Sequence, residues 1–564
     1  MSTTSQRRQL QRHRRAGFLA GLVAGGVLTA VMVALARGFG LFSLPELFGY
    51  RVIGLLPLTA FSTLVETFGT NAKQLLLVGA TIGQIVVGGL LGLLWATLAG
   101  TLPGESRPDR RAPSLWDPTP FGGFLFAVFL FVLVEVFVFT LLGAGIFGLQ
   151  LPAALGLTTA AAAVEALIYG LTLAFLYRTL MAPVNAEATV PPTIATTSLT
   201  RRQLVARFGF GLAAIVIGAG AIFGLGRTPT GAAKTNKGGR VGNNGLPPEI
   251  TPNSDFYSIS KNFADPKVAE EGWSVQIGGQ VERPYTLTLD QIRALPAVTE
   301  SRTLCCISNE VGGDLISNAT WTGVRLKDLL ERAGVKNGAV DLALSARDGY
   351  TDSITIDKAL NGEVLAVYEM NGVTLPDKNG FPLRLLVPDI YGMKNVKWVT
   401  RLDVVNTDYR GYWQEQGWND VATIKTMSRM DYPRSREVLP TGATKLGGVA
   451  FAGGRGVAKI EVSPDGGTTW SEGTIRRPLG PYTWVLWTAQ LDLAEGEHRL
   501  MVRATDGKGV VQTNRPTPPL PDGSSGWHGV TVRTAPGVPA PMINENQAQR
   551  TPGVPPANNG VYTP

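Results

Sequence analysis

The residues best suited to chemistry lie in TLCCISNEVGGDLISNATWTGVRL, residues 303–326. The segment holds Cys305 and Cys306, the two cysteines of the chain, ahead of a glycine-rich turn. A thiolate is a soft, strongly donating ligand, so an exposed cysteine set among polar loop residues suits a metal centre. A bridge between the two is disfavoured, because adjacent Cα atoms stand about 3.8 Å apart whereas a disulfide spans roughly 4.4–6.8 Å. No third cysteine exists to take either one. The competing reading is a pair of ordinary buried thiols, since free cysteine packs as a small hydrophobe.

These residues must be held by a chain of 564 residues, and a prior of roughly 150 residues per domain predicts three or four units. The first two hundred residues are mostly apolar with basic clusters, and the remainder has the composition of a globular protein rich in Gly, Pro and Trp. A net charge of +8 with a pI near 9.4 would suit nucleic acid. Many of the basic residues instead flank apolar spans, where orientation in a bilayer accounts for them, so a lipid bilayer and no nucleic acid is the expected partner. The histidines are His13, His498 and His528, none within an expected span, which excludes a membrane haem of the bis-histidine kind. Two cysteines also fall short of an iron–sulfur ligand set, so neither haem nor iron–sulfur cluster is expected.

The basic start SQRRQLQRHRR, residues 5–15, precedes an apolar run from Ala16 to Ala36 and reads as a cytoplasmic amino terminus entering a first span. Leu75–Leu98, Phe121–Phe147 and Pro152–Leu176 are further spans, each near or above the roughly 20 residues a bilayer requires. The positive loop PGESRPDRRAP between the second and third should face the cytoplasm. Residues 39–70 are broken by Pro45, Arg51, Pro57 and Glu66 and are expected outside, as an interfacial or re-entrant piece. Glu135 and Glu165 fall within spans, where charge is costly, and are expected as protonated, hydrogen-bonded helix contacts, the alternative being a proton path. Residues 1–200 thus form a membrane domain of about four helices.

Residues 198–227, SLTRRQLVARFGFGLAAIVIGAGAIFGLGR, pair two arginines with an apolar helix, either a twin-arginine-like signal and anchor over 201–227 or a fifth span with positive-inside flanks. Either reading exports everything after Arg227. A Gly, Asn, Thr and Pro-rich linker, 228–252, follows. From 253 to 410 short strands (273–281, 340–345, 364–369, 383–387) alternate with short helices, Thr288–Leu295 begun by an acidic cap and Leu326–Ala333 ended by Gly334. With no repeating βαβ unit this is an irregular α+β domain. A connector, 411–441, leads to regularly spaced strands and a DGG turn over 442–534, an immunoglobulin-like β-sandwich with Trp470, Trp484 and Trp487 as core aromatics. Residues 535–564 form a Pro, Asn and Gly-rich tail.

In order along the chain stand FYSISKN (256–262), TLCCISN (303–309) with its VGG, YEMNG (368–372), NGFPLRLLVPDIYGMKNVKWVTRLDV (379–404) and VAFAGGRGVAKIEVSPDGGTTW (449–470). This set resembles the sulfite oxidase family of molybdenum enzymes, over roughly Asp255 to Thr534. The resemblance implies a molybdopterin-binding domain followed by a sandwich that serves as a homodimer interface, and a molybdenum–molybdopterin cofactor. It makes Cys306 the thiolate metal ligand and Cys305 its neighbour. It further implies cofactor contacts from Tyr257, Ser258, Asn309, Asn379, Arg384, Asn395, Val396 and Lys397; a dianionic phosphate needs such cationic and N–H donors. Tyr368 resembles the tyrosine beside the metal. Where the sulfite enzymes carry an Arg and a His, this chain has Ile259 and Lys261, which leaves Lys261 as the candidate catalytic cation and weakens sulfite as substrate. The activity so implied is two-electron oxygen-atom transfer on a small-molecule substrate, with electrons exchanged with a separate carrier; the alternative is a membrane-tethered binding or sensor module without catalysis.

Overall fold

The computed structural model describes residues 3–39, 41–68, 71–100, 119–149, 155–181, 245–263 and 265–539. The twin-arginine-like segment, most of the linker and most of the tail lie outside the described residues. The chain divides into two units, 1–232 and 233–564.

In the first unit four helices are long and apolar enough to cross a membrane, Leu10–Ala36, Ala72–Ala99, Pro120–Leu141 and Leu155–Met181. They lie within α1 (Thr3–Phe39), α4 (Ala72–Gly100), α5 (Pro120–Leu133) with its continuation, and α7 (Leu155–Met181). The third ends at Leu141 rather than near Phe147, because Gly143 and Gly145 turn the backbone to positive φ. α5 runs into a π turn, Val134–Val138, and a short α6, Phe139–Leu141. Within residues 39–70 stand two short helices, α2 (Leu44–Leu55) and α3 (Leu58–Phe68), α2 begun by a capping box between Ser43 and Glu46. His13, expected outside the span, lies on α1 and pairs through Nδ1 with the Tyr177 hydroxyl of α7.

Glycines set the helix contacts. Gly17 and Gly21 of α1 meet Gly88 and Gly92 of α4 backbone to backbone, and a Cβ at Gly92 would collide with the Gly17 carbonyl oxygen. The four-residue spacing puts each pair on one face, the small-xxx-small arrangement of close-packed membrane helices. Gly123 of α5 and Gly170 of α7 repeat it.

The second unit begins with two five-stranded sheets. The first has the order β2-β1-β10-β5-β6 and the second β3-β4-β7-β8, with β9 on β7. Their strands are β1 (Ser274–Gly279), β2 (Tyr285–Thr288), β3 (Val298–Cys305), β4 (Ile316–Arg325), β5 (Asp341–Ala346), β6 (Thr351–Thr355), β7 (Leu365–Met370), β8 (Val373–Thr374), β9 (Arg384–Leu386) and β10 (Val399–Val405). α8 (Leu289–Arg293) starts at a Thr288–Gln291 capping box, not at an acidic cap. α9 (Leu326–Ala333) buries Leu326, Leu329, Leu330 and Ala333, one face at helical spacing, and stops at left-handed Gly334. Successive side chains of β7 point opposite ways. Leu365 and Val367 join a core with Leu304, Cys306 and Trp321, whereas Ala366 and Tyr368 join one with Ile277, Leu344 and Leu402.

Residues 411–441 are not a mere connector. Tyr412 and Trp413 pack on the first core, and Met427–Tyr432 forms β11, paired with β13. β11, β13 (Gly442–Phe451), β17 (Val485–Leu493) and β16 (Thr474–Ile475) make one sheet of a sandwich. β12 (Val438–Pro440), β19 (His528–Ala535), β18 (Gly496–Asp506), β14 (Val457–Ser463) and β15 (Ser471–Glu472) make the other. Met430, Leu446 and Trp487 meet Ile460, Val502 and Val530 in the shared core. Trp484 is buried and donates Nε1–H to the Glu249 carbonyl at 3.1 Å. Trp470 is not a core residue: half-buried, it stands edge-on to Trp527 with the Arg503 guanidinium 4.1 Å from its ring.

Gly92→Leu should therefore push α1 and α4 apart at a cost of about 1–3 kcal/mol, read as a lower unfolding midpoint in detergent. Gly83→Ala, on the same helix with open space around its Cβ position, should leave the midpoint unchanged or raise it.

Candidate active site

Cys305 closes β3 and Cys306 opens the loop to β4. The loop is tied at both ends: Cys306 N–H donates to the Leu315 carbonyl at 2.9 Å, Asn309 N–H to the Cys306 carbonyl at 3.0 Å, and Leu315 N–H to Asn309 Oδ1 at 2.8 Å. At its apex Gly312 has φ +73°, and a Cβ there would strike the His528 ring. Both thiols are free and buried, 2% and 8% exposed, so the expected exposed cysteine is corrected: strand β3 carries the pair inward. Cys306 packs with Phe256, Tyr257, Leu304 and Trp321, while Cys305 lines a small cavity with Asn309, Tyr391, Lys425 and Met427. Burial pushes the Cys306 thiol above its usual range, and hydrogen bonds from the backbone and side chain of Ser308 and the backbone of Ile307 pull it partly back.

Beside Cys306 the structure brings together Tyr257, Asn379 and Arg384, with Ser258 and Lys397 next to them. Tyr257 Oη is buried without a partner, and a Cβ at Gly392 would stand 2.8 Å from it. Arg384 donates Nη1–H to the Asn379 carbonyl at 3.1 Å, lies 5.7 Å from the Trp321 ring, and leaves Nε unpaired. Burial pulls its pKa down to about 10. Asn379 is fully buried, and neither atom of its side-chain amide has a partner. Lys397 Nζ donates to Ser258 Oγ at 3.4 Å and to the Lys378 carbonyl at 3.1 Å, above the Trp398 ring at 4.3 Å. Burial lowers its pKa to about 8. Gly380, at φ +118°, permits this convergence, since its Cβ position is 3.0 Å from Lys397 Cβ and 3.2 Å from Arg384 Cβ. Lys261 stands at the margin, donating to the Asp348 carbonyl at 2.8 Å and Asn262 Oδ1 at 3.2 Å, its pKa lowered by burial.

Other expected residues play different parts. Asn395 Oδ1 accepts from Val387 N–H at 2.7 Å and Val396 packs in the core, so their side chains brace β9 and thereby Arg384. Asn309 braces the cysteine loop, and its carbonyl accepts from Ser524 Oγ at 2.6 Å. Tyr368 is displaced from its expected place beside the metal ligand, because it is on the face of β7 opposite the Cys306 cluster. Sequence reasoning missed residues that the sandwich and the supposed connector deliver. Arg429 of β11, fully buried, donates to the Gly313 carbonyl at 2.9 Å and pairs with Asp431 at 2.9 Å. His528 accepts from Met430 N–H at 3.0 Å under the glycine turn. Tyr391 Oη accepts from Lys425 N–H at 3.2 Å near Cys305. Only the alternation of β11 around Met430 carried a signal for any of these.

This donor set fits a metal held on a phosphorylated organic cofactor. Among the described residues no three His, Cys, Asp or Glu groups stand together as metal ligands, so Cys306 would be a lone protein ligand. Its buried sulfur would be a thiolate only against positive charge, which a metal supplies. Desolvated cations beside an unpartnered amide and hydroxyl match an anionic, hydrogen-bonding ligand.

The family models and the sequence relatives agree with this donor set. Residues 262–413 match the oxidoreductase molybdopterin-binding domain and 420–534 the Mo-co oxidoreductase dimerisation domain. Sulfite oxidase of Arabidopsis thaliana is 28% identical over 325 residues, 47% of this chain and 82% of that protein. Mitochondrial sulfite oxidase of Macaca fascicularis is 30% identical over 342 residues, 51% of this chain; the chain spans only 62% of that protein. The solved structure of the sulfane dehydrogenase SoxCD from Paracoccus pantotrophus aligns with 50% of this chain and 80% of that one, at 23% identity and a TM-score of 0.43.

The buried amine makes a pH signature. Because burial favours neutral Lys397, the folded chain releases this proton near pH 8, whereas the unfolded chain holds it to the ordinary lysine value of 10.5. The unfolded state therefore binds more protons between those values, and stability rises with pH across that window. Cofactor-free protein should gain about 1–2 kcal/mol against urea between about pH 7.5 and pH 9.5, the part-exposed stem trimming the full effect, and Lys397→Met should lack that gain.

Proposed function

Residues 262–534 belong to the sulfite oxidase family of molybdopterin-dependent oxidoreductases, and from that premise we propose a membrane-anchored enzyme whose exported domain transfers an oxygen atom to or from a small substrate. One observation carries the reading: a buried cysteine beside convergent, desolvated cations and unpartnered polar groups. In the oxidative direction the substrate gains the oxygen of one water and yields two electrons and two protons; in the other direction the balance is reversed. The bound molybdenum cofactor supplies this two-electron chemistry.

The chain's residues bind and orient. Cys306 offers the thiolate ligand. Arg384, Lys397, Ser258 and the Asn379 amide hold the cofactor's anionic and hydrogen-bonding edges, Arg384 as a fork and Lys397 as a point charge. Tyr257 Oη, without a partner among the described residues, would donate toward the same group. Lys261, fixed by Asp348 and Asn262, is the cation nearest the position where the family's sulfite enzymes carry Arg and His. A lone ammonium lacks the bidentate fork that suits a sulfite oxyanion, which favours another small compound as substrate. The sandwich, which supplies Arg429 and His528 to the cysteine loop, is the surface for a homodimer and has the immunoglobulin-like architecture. Electrons leave to or arrive from a separate carrier.

Protein matured in a cofactor-competent host should carry close to one molybdenum per chain. Cys306→Ser should lose the metal's thiolate spectroscopic signature, and Arg384→Ala or Lys397→Ala should lower cofactor retention at least several-fold. Wild-type protein free of molybdenum would leave the binding-module reading in its place.

A further inference from the structure

The membrane half holds a feature that cofactor binding does not use. Val134–Val138 is a π turn, the one π segment among the described residues, in which Phe139 N–H bonds the Val134 carbonyl. Such turns widen a helix and recur at functional positions. Glu135 sits in it, 0% exposed, and neither carboxyl oxygen has a hydrogen-bond partner. The hydrogen-bonded helix contact expected from the sequence is not formed. On α7, which packs against this turn, Glu165 lies three residues from buried Ala162 and four from buried Tyr169.

No cation faces Glu135 from the elements packed on the turn. α2 brings Glu46, closed in its capping box with Ser43, and Arg51, which is exposed and 3.9 Å from the Cβ position of Gly143. The turn Ile146–Gly148 brings no charge. Besides Glu165, α7 brings Tyr169, which donates to the Gly88 carbonyl, and Tyr177 and Arg178 at its far end, Tyr177 bonded to His13.

We propose that Glu135 is a proton-exchanging carboxylic acid within the membrane half, with Glu165 as the group that takes or returns its proton. An isolated carboxylate in hydrocarbon is expensive, and a second one nearby makes double ionisation worse. The pair therefore holds at most one charge: no hydrogen bond joins the two, so the proton is relayed by water, the O–H bond of one carboxylic acid breaking, an O–H bond forming on the carboxylate of the other, and net charge being conserved. A purely structural acid would be expected to spend its O–H on a neighbour, because an unmade buried hydrogen bond costs roughly 1–3 kcal/mol. Glu135 has made no such bond, so proton transfer breaks none.

The proposal rests on the reading that the four long helices cross a bilayer, and the test separates the two. The full chain in native membranes is treated with dicyclohexylcarbodiimide, which attacks protonated carboxyls in apolar surroundings, and adducts are mapped by mass spectrometry. We expect an adduct on Glu135 that falls roughly tenfold for each pH unit above the titration midpoint. It should be absent from Glu135→Gln, and in Glu165→Gln it should persist with a shifted midpoint. If Glu135→Gln does not accumulate, the wild-type adduct map and its pH dependence still decide. A chain that stays in the membrane after alkaline carbonate but bears no adduct at Glu135, or a pH-independent one, overturns the proposal alone. Protection by sodium at fixed pH overturns it in favour of a cation site. Release by carbonate overturns the bilayer reading and the proposal with it.

Discussion

The second unit is organised by a desolvation that the protein does not resolve by itself. Arg384 and Lys397 are taken out of water beside an amide and a phenol that have no partner. Each such group is costly in isolation, and most buried polar atoms in folded proteins are paired. Here they converge within one cradle, because Gly380 and Gly392 let the backbones approach where a Cβ would intrude. A site in this condition is preorganised for a ligand that is anionic and rich in acceptors. The destabilisation of the free protein becomes affinity for the cofactor, since a ligand that binds the folded chain alone stabilises it by mass action.

The same constraint explains why two domains are needed. A loop that holds a single ligand thiol must not move, yet a loop carrying two adjacent glycines has little local stiffness. Its rigidity is imported from the sandwich, through Arg429 to the Gly313 carbonyl, Ser524 to the Asn309 carbonyl, and His528 under Gly312. β3 is joined to the sandwich as well, Thr303 N–H donating to the Tyr482 carbonyl at 2.9 Å and Trp484 N–H to Thr303 Oγ1 at 2.8 Å. The sandwich is thus part of the site's wall, whatever it does between subunits.

Legibility in the sequence followed the range of the interaction. Apolar spans and the amphipathic α9 with its glycine stop are local patterns, and they could be read to within a few residues. The cradle's residues were named through the family resemblance and not through any local pattern; Asn379, Arg384 and Lys397 lie within nineteen residues and cluster through one short strand and one positive-φ glycine. Arg429 and His528 were not legible, since they reach the site only through the packing of distant segments. Tyr368 shows the converse failure: a motif fixes where a residue stands along β7 but not which face it takes, and the period-2 pleat sends it to the other core.

The two cysteines obey that pleat as well, and this divides their roles. Adjacent residues at a strand end cannot both point at one ligand, so Cys306 faces the cradle and Cys305 the cavity bordered by Asn309, Tyr391 and Met427. A shift of register by one residue would exchange them and turn the whole β3 face over. The register is fixed by the Cys305–Ile316 pairing and by Trp321, fully buried in β4, whose Nε1–H is held by the Arg302 carbonyl at 3.1 Å. Buried Trp321 also lies under Arg384. The residue that locks the strand register is therefore the residue on which the cradle's arginine rests, so the choice of ligand sulfur and the placement of the cation are set by one side chain.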